Sequence, residues 1–83
     1  MLNDIEIRIL KRMNRIGLWG SHHMQIDNLV NTGYPSHMKG YVKETISLLI
    51  RKGYVVYYNR TKNAVQLNLD LQKEIMRLIE NGD

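Results

Sequence analysis

The chain has 83 residues, 43% of them apolar, no cysteine and a formal charge of +4 at neutral pH. That length supports one domain with one modest core, and the missing cysteines exclude a disulfide framework and a thiolate metal site. An isoelectric point near 9.6 favours polyanions as partners, although many small basic proteins bind nothing anionic. One proline and six glycines are too few for a disordered composition. No apolar run approaches the roughly 18–20 residues of a membrane span. The start, Met1-Leu2-Asn3-Asp4, lacks the basic head and apolar centre of a signal peptide, so a cytoplasmic location is expected.

In chain order, Asn3 or Asp4 can cap a first helix that runs to about Ile16, with Gly17 as its stop. Leu2, Ile5, Ile9, Met13 and Ile16 fall on one stripe of that helix, and Arg8, Lys11, Arg12 and Arg15 on another. Ile7 and Leu10 lie off the apolar stripe and suggest a second contact surface. Trp19 to His23 reads as a short extended segment. Gly20-Ser21-His22-His23-Met24 resembles a tag remnant but lies inside the fold signal and reads as native. A short helix over Gln25–Thr32 carries Ile26, Leu29 and Val30, and Gly33 ends it.

Pro35 pushes Tyr34 out of helical geometry, and Ser36 is placed to cap a third helix. On that helix Met38, Val42, Ile46 and Leu49 share one face with Thr45, while Gly40, Lys43, Glu44, Ser47 and Arg51 lie opposite. Arg51-Lys52-Gly53 ends the helix. Two strand-like runs follow at once, Tyr54–Tyr58 and Ala64–Leu69, joined by Asn59-Arg60-Thr61-Lys62-Asn63. Val65, Leu67 and Leu69 alternate with Gln66 and Asn68, as a half-buried strand requires. Asp70 can cap a last helix to about Asn81, with Leu71, Ile75, Leu78 and Ile79 on one side and Met76 widening that stripe.

This order resembles the winged helix-turn-helix family, in particular its small archaeal and phage-type regulators, from about Asp4 to Leu69. The resemblance is carried by Ile26-Asp27-Asn28-Leu29, Gly33, Val42, Ile46, the segment Leu49-Ile50-Arg51-Lys52-Gly53-Tyr54-Val55 and the hairpin. The Leu-x-x-Lys-Gly-Tyr-Val run is the most specific part. The distance from Gly33 to Gly53 exceeds the family's usual turn and helix by a few residues, which fall in Tyr34–His37 as a longer turn or an extra helical turn. The resemblance implies an α+β fold: a mostly helical winged helix-turn-helix with a three-helix core, a β-hairpin wing and a C-terminal helix. Over the single domain 1–83, the helix-turn-helix covers about 25–52, the wing about 54–69 and the last helix about 70–81.

The resemblance also implies the function, sequence-specific double-stranded DNA binding by a transcriptional regulator. The third helix would enter the major groove, and the wing would lie on the backbone or the minor groove. The implied DNA-binding set is Ser36, His37, Lys39, Gly40, Tyr41, Lys43, Glu44 and Ser47 at the third helix, with Arg60 and Lys62 at the wing tip. Gly40 weakens its helix by about 1 kcal/mol relative to alanine, a cost that close approach to a nucleic-acid backbone would explain. Each of these positions also suits an ordinary solvated surface.

The stripe Arg8, Lys11, Arg12 and Arg15 reads more readily as a solvated helix face than as a phosphate-neutralising one. His22 and His23 are adjacent and point apart in a strand, and with no cysteine a metal site is not expected. No catalytic constellation or phosphate-binding glycine loop is present, so neither an enzyme nor a cofactor is expected. Tyr54, Tyr57 and Tyr58 read as strand residues packing the hairpin on the third helix rather than as a base-stacking platform. The broad apolar stripe of the last helix, with Ile7 and Leu10, points to a homodimer through the last and first helices. Such a dimer would hold two reading helices about 34 Å apart. The rival reading is a protein-interaction module without specific DNA binding, kept open by Glu44 among the cations. RNA or non-specific chromatin binding would share the same electrostatics.

Overall fold

The computed structural model describes residues 2–81. The fold is α+β, with four helices and one three-stranded antiparallel sheet. Helix α1 spans Asp4–Ile16, and its start is a reciprocal cap. The Glu6 N–H donates to Asn3 Oδ1 and the Asn3 N–H donates to Glu6 Oε1, both at 2.9 Å. Gly17, at φ 89°, supplies the left-handed stop.

The apolar side of α1 is broader than one stripe. Ile5, Ile9, Leu10 and Met13 are all buried, because the helix packs against α3, α4 and the sheet at once. Leu10, expected on a separate contact surface, therefore belongs to the core. Ile16, expected in the core, is 41% exposed at the overhanging last turn.

The segment after α1 is a turn rather than the expected extended run, with the His22 N–H donating to the Trp19 carbonyl. Its backbone stays curled because side chains hold it from both sides. Trp19 Nε1–H donates to Asn14 Oδ1, and the Gln66 carboxamide donates to the carbonyls of Gly20 and His22. Strand β1 is only Met24–Gln25, paired with β3 at Met24–Val65 and Gln25–Ala64.

Helix α2, Ile26–Asn31, buries Ile26, Leu29 and Val30 and is one residue shorter at each end than expected, because Gln25 and Thr32 are extended. After Pro35 comes a single 3₁₀ turn, Ser36–Met38, and then α3 over Lys39–Arg51. The extra residues before the third helix thus form that turn. Ser36 lies inside it and caps nothing, contrary to expectation, because Pro35 already supplies the extended entry at φ −62° and ψ 152°. Helix α3 buries Val42, Thr45, Ile46 and Leu49, and the Thr45 hydroxyl donates to the Tyr41 carbonyl one turn back. Gly53, at φ 89°, follows its end.

Strands β2, Val55–Asn59, and β3, Ala64–Leu67, form the hairpin, and β3 lies centrally in the order β1-β3-β2. The register shifts between Tyr57, opposite Val65, and Asn59, opposite Ala64, so Tyr58 sits in a bulge. β3 stops at Leu67, two residues early, and Leu69 is 55% exposed rather than core. The cause is Asn68. Its N–H and side-chain amide donate to the carbonyls of Tyr54 and Gly53, and its Oδ1 accepts the Asp70 N–H. Asn68, not Asp70, therefore caps the next element, a 3₁₀ turn over Leu69–Leu71 leading into α4 at Gln72–Asn81. Ile75 is fully buried, while Leu71, Leu78 and Ile79 pack partly buried against the same cluster.

Candidate nucleic-acid interface

The residues expected to read DNA from the third helix do not share one strip: Gly40, Lys43, Glu44 and Ser47 lie on one side of α3, while Tyr41 faces the groove beside α1. Ser36 and His37 stand on the 3₁₀ turn, and Gly40, Tyr41, Lys43, Glu44 and Ser47 are exposed along α3, with Lys39 half-buried at its start. Tyr41 is 52% exposed. A Cβ built on Gly40 meets no atom within 4 Å, so nothing inside the fold demands glycine there. Lys43 Nζ lies 3.7 Å from Asp27 Oδ1 on α2, with both side chains largely in water. A pair of that kind contributes less than about 1 kcal/mol and leaves the ammonium available.

At the hairpin tip Arg60 and Lys62 are exposed. The tip is shaped by Asn59, whose Oδ1 accepts the Lys62 N–H at 3.1 Å, and by Asn63 in the left-handed region at φ 53°. Asn63 also offers its carbonyl to the Ile26 N–H at 2.9 Å, which ties the tip to the first turn of α2. The Arg60 guanidinium lies over the Tyr57 ring, 4.5 Å from its centre. That contact costs Arg60 some freedom but leaves its edge donors outward.

The two groups share a neighbour. The first turn of α2 presents Asp27 to Lys43 of α3. Its next residue, Asn28, lines a hollow with His23, Met24, Gln25, Tyr58, Asn59, Lys62 and Ala64. Gln25, Asn28, Asn59 and His23 carry no DNA assignment from the sequence. The turn signals of Asn59 and Asn63 were legible, but only the folded register sets them beside α2.

The basic stripe of α1 does not act as one surface. Arg12 turns inward, donating to the Leu29 carbonyl and to the Thr32 hydroxyl oxygen at 2.7 Å each, with its guanidinium 5.2 Å from the centre of the Tyr34 ring. It fastens α1 to the turn between α2 and α3, so tightly that a Cβ on Gly33 would come within 3.0 Å of it. Arg8 and Lys11 instead line a groove with Ile7, Met38 and Tyr41. Among the tyrosines, Tyr54 and Tyr57 pack on the core as expected. Tyr58 does not, because the bulge turns it outward, 49% exposed, onto the His23 ring.

One carboxylate is deeply placed. Glu6 is 2% exposed, with its Oε2 2.7 Å from Lys52 Nζ at the end of α3. Burial pushes its pKa up, but Lys52 and the Asn3 N–H outweigh this and hold it below the usual carboxylate value. Among the described residues no three His, Asp or Glu side chains converge to hold a metal ion, and no helix is long and apolar enough to cross a membrane. Compared with protein-family models, curated proteins and solved structures, the chain matches none.

Proposed function

We propose that the protein is a winged-helix DNA-binding protein, a cytoplasmic transcriptional regulator that reads a specific duplex site as a homodimer. The observation that carries this reading is the common neighbour of α3 and the hairpin tip. The first turn of α2 meets Lys43 through Asp27 and shares a hollow with Asn59 and Lys62 through Asn28. A helix face and a basic loop arranged around one turn suit simultaneous contact with a groove and with the flanking backbone. Lys39, Gly40 and Lys43 would face base edges, Arg60 and Lys62 the backbone.

The dimer is supported by partly exposed apolar side chains on two helices, Met76, Leu78 and Ile79 on α4 and Ile7 on α1.

The test is Lys43→Ala, measured on a selected site and on random duplex. A base contact is worth about 1–3 kcal/mol, so affinity for the site should fall about five- to 150-fold, and affinity for random duplex only about two- to threefold. Equal loss on both would remove Lys43 from base reading. The second reading, a protein-docking module, is favoured by the exposed carboxylates Asp27 on α2 and Glu44 on α3 and by the groove that Tyr41 shares with α1. Binding to DNA that is weak, featureless and lost at moderate salt would support it.

A further inference from the structure

The hollow beside the hairpin tip has the composition of a phosphate site. Its polar lining among the described residues is Gln25, Asn28, Asn59, Lys62, Tyr58 and His23, with no carboxylate. Lys62 is the one formal charge in that lining, and the carboxamides offer N–H donors. Asn59 commits its oxygen to the Lys62 N–H, which leaves its amide protons to a ligand.

His23 lines the same hollow. Its ring lies face to face with Tyr58, centres 3.9 Å apart and planes 7° from parallel. The Nδ1–H donates to the Ser21 carbonyl at 3.4 Å, so Nε2 is the atom left to take a proton. The loop carrying His23 is pinned by Gln66 to the carbonyls of Gly20 and His22, which fixes the imidazole over β2.

We infer that this hollow binds a backbone phosphate of the duplex, and that His23 joins Lys62 in that contact by taking up one solvent proton at Nε2. The inference rests on the DNA-binding reading above and adds a pH dependence to it. The groups facing His23 are few. β2 brings Tyr58, the hairpin tip brings Lys62, and β1 and α2 bring only the uncharged Met24, Gln25 and Asn28. Asp27, on the same turn of α2, is turned to Lys43, and His22 is the adjacent imidazole. A phosphate in the hollow attracts a protonated imidazole, so binding and protonation favour each other by the same factor.

The experiment is fluorescence anisotropy of the protein with a labelled random duplex at fixed ionic strength, between about pH 5.5 and pH 8, where histidine titrates. Wild-type affinity is expected to rise about three- to tenfold towards the acid end. His23→Gln should flatten that rise, while His22→Gln keeps it. A His23→Gln protein with the wild-type profile overturns the inference and leaves DNA binding standing. Wild type that binds no duplex at any pH removes the DNA reading and this site with it. On the unaltered protein, the NMR titration midpoint of the His23 Cε1–H should move up when duplex is added. An unmoved midpoint overturns the proposal.

Discussion

Glu6 is the residue whose environment departs most from what its chemistry prefers. A carboxylate only 2% exposed is tolerable because both oxygens are occupied, one by the Asn3 N–H and one by Lys52. Its pKa is lowered from an ordinary 4.5, so folding favours its ionised form. That contribution is complete above about pH 4.5 and is lost as pH falls through the lower, folded-state value. Glu6→Gln should therefore cost about 2 kcal/mol at neutral pH, since hydrogen bonds to charged groups contribute about 1.5–3 kcal/mol. Thermal melts at pH 7 and below pH 4.5 should show the variant's deficit shrinking as acid protonates the wild-type carboxyl. A deficit independent of pH would mean that ionisation of Glu6 contributes nothing to stability. Arg12 shows the same economy with charge: a residue that reads as one of four surface cations is a bolt between helices.

At the scale of elements, helix ends and strand pattern were the legible part. Asn3, Gly17 and Gly53 mark their boundaries because caps and left-handed stops are local chemistry, settled within a few residues. Boundaries set by distant partners were not legible. Strand β3 ends at Leu67 because Asn68 turns to Gly53 and Tyr54, fifteen and fourteen residues away in the chain. Ser36 gives up its cap because the chain makes a 3₁₀ turn before α3 begins. Tyr58 leaves the core through a bulge that no alternation pattern announces. Leu10 escapes a one-stripe reading because a single stripe cannot describe a helix packed on several sides.

Helix α3 carries a prediction of its own. With open space beyond its Cα, Gly40→Ala should raise stability by about 0.5 kcal/mol through helix propensity, seen as a small rise in melting temperature. If α3 lies in a groove, the added methyl should also weaken DNA binding several-fold. Unchanged affinity with raised stability would take Gly40 out of the interface.

For the whole molecule, the α+β architecture follows from the order of its elements, and the candidate site from how they close on one another. The expected residues on α3 and at the hairpin tip were named through the family resemblance, and all but the half-buried Lys39 lie exposed. The hollow beside the hairpin tip was not legible, since it needs α2, β1 and the hairpin assembled. A basic chain with a charge of +4 gains affinity for any duplex from counterion release, so affinity alone decides little. Specificity is the central claim.

It is tested most directly by selecting bound duplexes from a random pool at near-physiological salt and sequencing them. The account predicts enrichment of a palindromic motif with half-sites about 10 base pairs apart, the spacing of two helices on one face of the duplex. A bound fraction no different from the pool, or binding that disappears at that salt, would contradict it.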